Sequence, residues 1–435
     1  MLMPTNTHFT AIKASTSKDT VFNFSVNLFD GVFFGLALGL ASFVSVIPLF
    51  VSHFTGSALL IGLIPSIHTL GWQLPQIFMA KYLGTTSLYK PVLLKTTFQE
   101  RLPFLGLAIL ALLAPYITPA VILVIIFIML IWQGFAGGFA ANPWQSMVSK
   151  VIPGKVRGTF FGAQAGLANL LLAVGAVAAG YILVEKQGTV SYFVPFFAAF
   201  IAMMVSMLFL ALTRENPHLP VMRKSTITTT SLVGNILRSD RQFLLFVIAR
   251  NLLQFAGLGI NFYAVYLIQS YGTSPATIGL MAGLYAAVQI IANPILGFAG
   301  DHFGHKFALL IGAVSGTAST MIVLCAPSPS WLYLSFALAG LTSVAAWTIS
   351  IAMTLEYGSV ENRPAYIGLS NTLTSPSTLI APVLGGLIAD FLGFSAAFVF
   401  ITFMGIIAVL FISRLKDPAT TKKSSMIINL DRGSP

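Results

Sequence analysis

Stretches of about 20 mostly apolar residues recur roughly twelve times along this chain, and that recurrence narrows the possible folds more than any motif does. A run of this length crosses the hydrocarbon core of a bilayer as a helix, because a helix satisfies its backbone amides within its own segment. The expected boundaries are 26–52, 57–81, 91–114, 119–141, 158–184 and 190–213, then 242–270, 275–300, 305–326, 330–355, 364–389 and 394–413. Composition agrees: 56% of residues are hydrophobic and 8% charged, where a soluble protein has about a quarter of its residues charged. The expected fold class is therefore an all-α membrane protein with twelve transmembrane helices. A mostly polar arm, residues 1–25, precedes the first run, which is too long for the apolar region of a signal peptide.

The basic residues set the expected orientation. Lysines and arginines in the connections fall on one side: Lys13 and Lys18 in the arm, Lys81 and Lys90, then Lys150, Lys155 and Arg157, those of the stretch 214–241, Lys306, Arg363, and those from Arg414 onward. The opposite connections carry Lys186. Cytoplasmic loops hold the excess of positive charge, so both termini and the stretch 214–241 are expected in the cytoplasm, with the protein multi-pass in the cell membrane. The net charge of +11 then follows from topology and from membrane lipid with anionic head groups, and implies no nucleic-acid partner. The single cysteine, Cys325, excludes an internal disulfide.

The chain also repeats itself. Ser57-Ala58-Leu59-Leu60-Ile61-Gly62-Leu63 aligns with Ser274-Pro275-Ala276-Thr277-Ile278-Gly279-Leu280, and Arg157, Gly162 and Gly180 align with Arg363, Gly368 and Gly386. Two six-helix halves, 26–213 and 242–414, are expected, with a linker at 214–241 and a tail at 415–435. Within the linker, Leu232 to Leu237 is expected as a short amphipathic helix on the membrane face.

Between the eighth and ninth runs stands the one compact charged motif, Gly297-Phe298-Ala299-Gly300-Asp301-His302-Phe303-Gly304-His305-Lys306. Its glycines permit a tight turn, and a carboxylate there can accept hydrogen bonds from the unpaired amides at the start of a neighbouring helix. The motif resembles the loop signature of the major facilitator superfamily, in which glycine, Asp four residues on, and glycine followed by basic residues join the second and third helices of a half. His302 and His305 stand where that family usually has arginines, and the first-half counterpart, around Pro75 to Leu83, has Tyr82 at the Asp position. The resemblance spans all twelve runs. It implies the parallel-repeat fold of these carriers and alternating access to a midplane site, with the first, fourth, seventh and tenth helices lining the pathway. It further implies a gating motif of Gly297, Asp301, Gly304 and Lys306, in which Asp301 attracts the start of the fifth helix near Gly158.

Charge inside hydrocarbon is costly unless paired or hydrated, so each such residue is a site candidate. Asp30, Glu100, Arg101 and Arg250 are the candidates for coupling or buried charge, with Asp30 about one turn inside the first run, where it faces water in the blander reading. Arg101 pairs with Asp30, freeing Glu100 to exchange a proton, or Glu100 pairs with Arg101; the residues leave both open. On the second helix His68, Trp72 and Gln76 share a face. Uncharged polar residues on the pathway helices give the expected substrate contacts, Gln133, Gln254, Asn261 and Trp347, against the alternative of polar glue between helices. Gly31, Gly35 and Gly39 form a small-residue stripe for close packing.

No catalytic, metal or nucleotide-binding pattern occurs, so neither an enzyme nor a cofactor is expected. The expectation is a secondary transporter moving a small-molecule substrate by alternating access, coupled to protons. An uncoupled facilitator of a sugar-like solute, or a membrane receptor or scaffold without transport, is the alternative.

Overall fold

A computed structural model describes residues 17–56, 58–185, 188–217, 229–273, 275–359 and 362–417. The first half holds the spans Ser17–Leu40, Ala58–Gln73 with Gln76–Leu83, Lys90–Leu113, Pro119–Val151, Arg157–Glu185 and Phe193–Ala211. The second holds Arg241–Ala256 with Ile260–Tyr271, Pro275–Phe303, His305–Cys325, Leu332–Val344 continuing to Thr354, Arg363–Leu392 and Phe394–Ser413. They are numbered one to twelve in that order. Much of the polar arm, most of the tail, Lys186, and Ser57 and Ser274 of the repeat lie outside the described residues.

Among the described residues, eleven helices are long and apolar enough to cross a membrane. Span two falls short because it divides at Leu74 and Pro75; proline supplies no N–H to continue the helical ladder. The first helix begins at Ser17, well before residue 26. Asp30 therefore sits deep in a helix and is buried, not one turn from water. Span seven is interrupted by a 3-10 turn at Gly257–Gly259, and span ten carries a π turn at Ala345–Ile349. The linker helix runs Thr229–Ser239. It does not simply lie on the membrane face, because its Ile236 joins the buried core of the second half.

The buried apolar clusters show how the halves meet. One cluster lies wholly within the first half and another wholly within the second. Two others cross: Ala352, Leu355 and Ile367 pack with Leu83, Met147 and Phe160, and Ile77 and Ala80 join the core built by spans seven to twelve. Both crossing clusters lie at the end where the basic connections gather. Close backbone approach supports the contact there. At Gly297 a Cβ would fall 2.1 Å from the Gly158 carbonyl oxygen, and at Gly162 one would fall 2.2 Å from that of Asn293.

Candidate functional site: two cavities, a buried charge cluster and a contact between the halves

Two neighbouring cavities lie at the middle of the helices. The larger, about 350 Å³, is lined by Trp144, Phe161, Gln164, Asn169, Gln289, Asn293, Ser343, Trp347 and Thr348 among others, and so draws on both halves. The smaller, about 210 Å³, lies between spans seven, eight, ten and eleven, with Gln254, Asn261, Ser377 and Thr378 as polar walls. Ser343 and Trp347 line both. Trp347 belongs to the π turn and stands 6.2 Å, ring to ring, from Trp72 of the opposite half. Such turns widen a helix locally and are frequent at functional sites. Among the described residues, no charged side chain lines either cavity; the polar walls are amides and hydroxyls, beside aromatic and aliphatic faces.

Three of the four expected contacts, Gln254, Asn261 and Trp347, therefore line a cavity, whereas Gln133 lines neither. It is 1% exposed, and its Oε1 lies 2.9 Å from His68 Nδ1, a pairing that places the hydrogen on Nδ1. His68 in turn stacks on Phe43 at 4.1 Å, so the pair is built into helix packing, with Gln133 Nε2 buried and without a hydrogen-bond partner among the described residues. Of the face His68, Trp72 and Gln76, the last receives a hydrogen bond from Asn371 of span eleven at 2.6 Å. Sequence reasoning missed Gln164 and Asn169 on span five. Their signal was an amide in an apolar run, and what was absent was any hint that span five faces the cavity. Gln164 is held by donating to the Asn27 carbonyl at 2.6 Å.

The charged candidates in the first half form one cluster. Ser206 of span six donates to Asp30 at 2.6 Å and receives from Arg101 at 3.0 Å. Arg101 also reaches Glu100 at 3.4 Å, the Thr97 carbonyl at 2.8 Å and the Met203 carbonyl at 2.8 Å. Arg101 thus serves both acids, one directly and one through a hydroxyl, which combines the two pairings left open. All three charged residues are buried, so their charges act at low dielectric, where a mismatch is expensive. Asp30 also interacts with the indole of Trp144, a wall of the larger cavity. Arg250 stands apart: it donates to Ser370 at 2.7 Å, and no carboxylate among the described residues lies within 4.0 Å.

At the end of the bundle where the basic connections lie, the Gly297 to Lys306 stretch touches both halves. Gly158 N donates to Asp301 Oδ1 at 2.7 Å and Thr159 N to Oδ2 at 2.6 Å, so the carboxylate receives the first free amides of span five. Gly304 adopts φ 95°, a left-handed conformation open to glycine, and this turns the chain into span nine. Lys306 donates to the Ser413 carbonyl at 2.7 Å at the end of span twelve. Further bonds join the halves nearby, Asn142 to the Pro364 carbonyl at 2.9 Å and Arg363 to Ser149 Oγ at 3.1 Å, and deeper in the bundle Thr378, a wall of the smaller cavity, donates to Gln73 at 3.0 Å. Two acids missed from sequence anchor the edges of each half. Glu215 receives the amides of Tyr89 and Lys90 at 2.9 and 2.8 Å and Lys150 at 2.8 Å, while Asp417 receives the amide of Lys306 at 3.3 Å.

Residues 244–428 match the family model of the Major Facilitator Superfamily. The chain is 29% identical over 175 residues to an uncharacterised MFS-type transporter of Schizosaccharomyces pombe, a stretch covering 39% of each chain. It is 31% identical over 113 residues to the class H tetracycline resistance protein of Pasteurella multocida, covering 26% of this chain and 28% of the relative. Each match spans less than half of the relative. The fold likeness is broader. The E. coli fucose:proton symporter superposes with a TM-score of 0.76 at 13% identity, over 92% of this chain and 99% of the other. A proton:xylose symporter gives 0.71 at 16% identity, over 93% and 99%.

Proposed function

We propose that this member of the major facilitator superfamily is a secondary carrier that moves a small, uncharged organic solute by alternating access and couples its movement to protons. The observation that carries the reading is the placement of the cavities. The larger one lies between the halves, while hydrogen bonds of Asp301, Asn142 and Arg363 join the halves at the basic end. This is the arrangement of a carrier closed on one side, and by the positive-inside rule that side is the cytoplasm, with both termini there.

The walls argue for the solute class. Desolvating an ionised group against walls without a counter-charge is unfavourable, whereas amides and indole faces suit a molecule with hydroxyl or amide edges and a ring face. Gln254, Asn261 and Trp347 are its contacts, joined by Gln164, Asn169, Gln289 and Asn293. Proton coupling is assigned to the Asp30, Glu100 and Arg101 cluster, which holds two acids to one fixed base and touches the cavity through Trp144. Gain or loss of one proton there changes the charge behind the cavity wall. Relatives named for tetracycline resistance and for sugar symport are in keeping with a solute of this kind.

The test is solute flux in reconstituted vesicles, screened over uncharged compounds, with and without an imposed pH gradient. Accumulation driven by the gradient is expected, and Glu100→Gln is expected to abolish accumulation while leaving exchange at equilibrium. Flux indifferent to the gradient would mark an uncoupled facilitator, and binding without flux would mark a receptor.

A further inference from the structure

We propose that His305 is a proton-binding residue of the gate itself, so that protonation at the cytoplasmic face holds the inner gate closed. His305 begins span nine, is 1% exposed, and lies between two acids. Its Nδ1 is 2.8 Å from Glu356 Oε1, and its Nε2 is 3.8 Å from Asp301 Oδ1, with no hydrogen-bond partner among the described residues. A neutral imidazole carries one N–H and one lone pair. With the hydrogen on Nδ1, the bare Nε2 lone pair faces the Asp301 carboxylate. With the hydrogen on Nε2, the lone pair faces Glu356 at contact distance. The imidazolium alone offers an N–H to each acid.

The consequence reaches the gate because Asp301 Oδ1 is also the oxygen that receives Gly158 N of the opposite half. Contact is direct, since a Cβ on Gly158 would fall 2.7 Å from His305 Nε2. The other ionisable groups facing this site are Asp417 beyond span twelve, Arg157 of span five and Arg363 of span eleven. Arg157 is engaged with the carbonyls of Ile152 and Ser149, and Arg363 with Ser149. Tyr357 stays neutral, because burial and the charges of Asp240, Glu356 and Asp417 push its phenol up. Opening the gate admits water to both acids and removes the need for the second N–H, so the closed state binds the proton more tightly. Acid therefore favours closure and alkali favours opening. An arginine, usual at this motif position in the family, would hold the gate closed at every pH.

This inference rests on the carrier reading, yet its readout needs no solute. Nitroxide labels on cysteines introduced at Lys155 and Arg414, exposed positions in opposite halves, with Cys325→Ser, report the separation at the cytoplasmic end by pulsed EPR in lipid nanodiscs. One linked proton changes the closed-to-open ratio by at most about tenfold per pH unit. The expected result is a several-fold gain in the wider population between pH 6 and 8, absent in His305→Arg, which stays narrow, and in His305→Gln, which is wide at both. A wild-type separation that ignores pH, or a pH response that survives in both variants, overturns the proposal, whereas failure of flux alone overturns only the carrier reading.

Discussion

Arg101 shows how a single residue holds a buried polar cluster together. Its guanidinium reaches Glu100, Ser206 and two carbonyls while 1% exposed, so removing it leaves acids at low dielectric without a counter-charge. Arg101→Gln is expected to cost about 3–5 kcal/mol, read as a lowered unfolding midpoint in detergent, with Arg101→Lys recovering part of it. Asp301→Asn is expected to weaken closure by about 1–2 kcal/mol, since it removes the charge that receives two amides at a helix start; the wider population in the label pair at Lys155 and Arg414 measures it. That Asp30, Glu100, Arg101 and Arg250 needed an explanation was legible in the sequence, because charge in an apolar run is expensive. Their partners were not. Ser206 is an ordinary serine in an apolar helix until the fold brings it between Asp30 and Arg101, and Gln133 is indistinguishable from a substrate contact until His68 is seen against it.

At the scale of elements, two glycines bring spans five and eight into backbone contact. The space at Gly297 ends 2.1 Å from the Gly158 oxygen, so Gly297→Ala forces the helices apart. Overpacking of this kind costs about 1–3 kcal/mol, and here the cost falls on the closed arrangement, so the label separation is expected to widen without loss of helical content by circular dichroism. The Gly31, Gly35 and Gly39 stripe works differently. It seats span one on Gln164, Ala168 and Leu172 of span five within the same half, where it sets packing and not the gate. Helix positions followed from hydropathy, yet the breaks did not. The gap at Leu74 and Pro75 follows from the proline's missing N–H, whereas the 3-10 turn at Gly257 and the π turn that presents Trp347 depend on packing against neighbours that apolar periodicity does not encode.

For the whole molecule, the decisive arrangement is two sets of six spans bonded at the basic end, with one cavity lined by both sets. If the basic connections face the cytoplasm, epitope tags at the two termini are cut by protease from the same face of sealed vesicles; tags protected on opposite faces would break the orientation. The sequence alone determined the fold class and the motif that meets span five, because hydropathy and a charged turn are each local or periodic properties written along one chain. Tertiary structure alone decided which amides line a cavity, how the buried acids share one arginine, and that His305 sits between two carboxylates. Those are distances between residues far apart in the chain, and they exist only once the helices have packed.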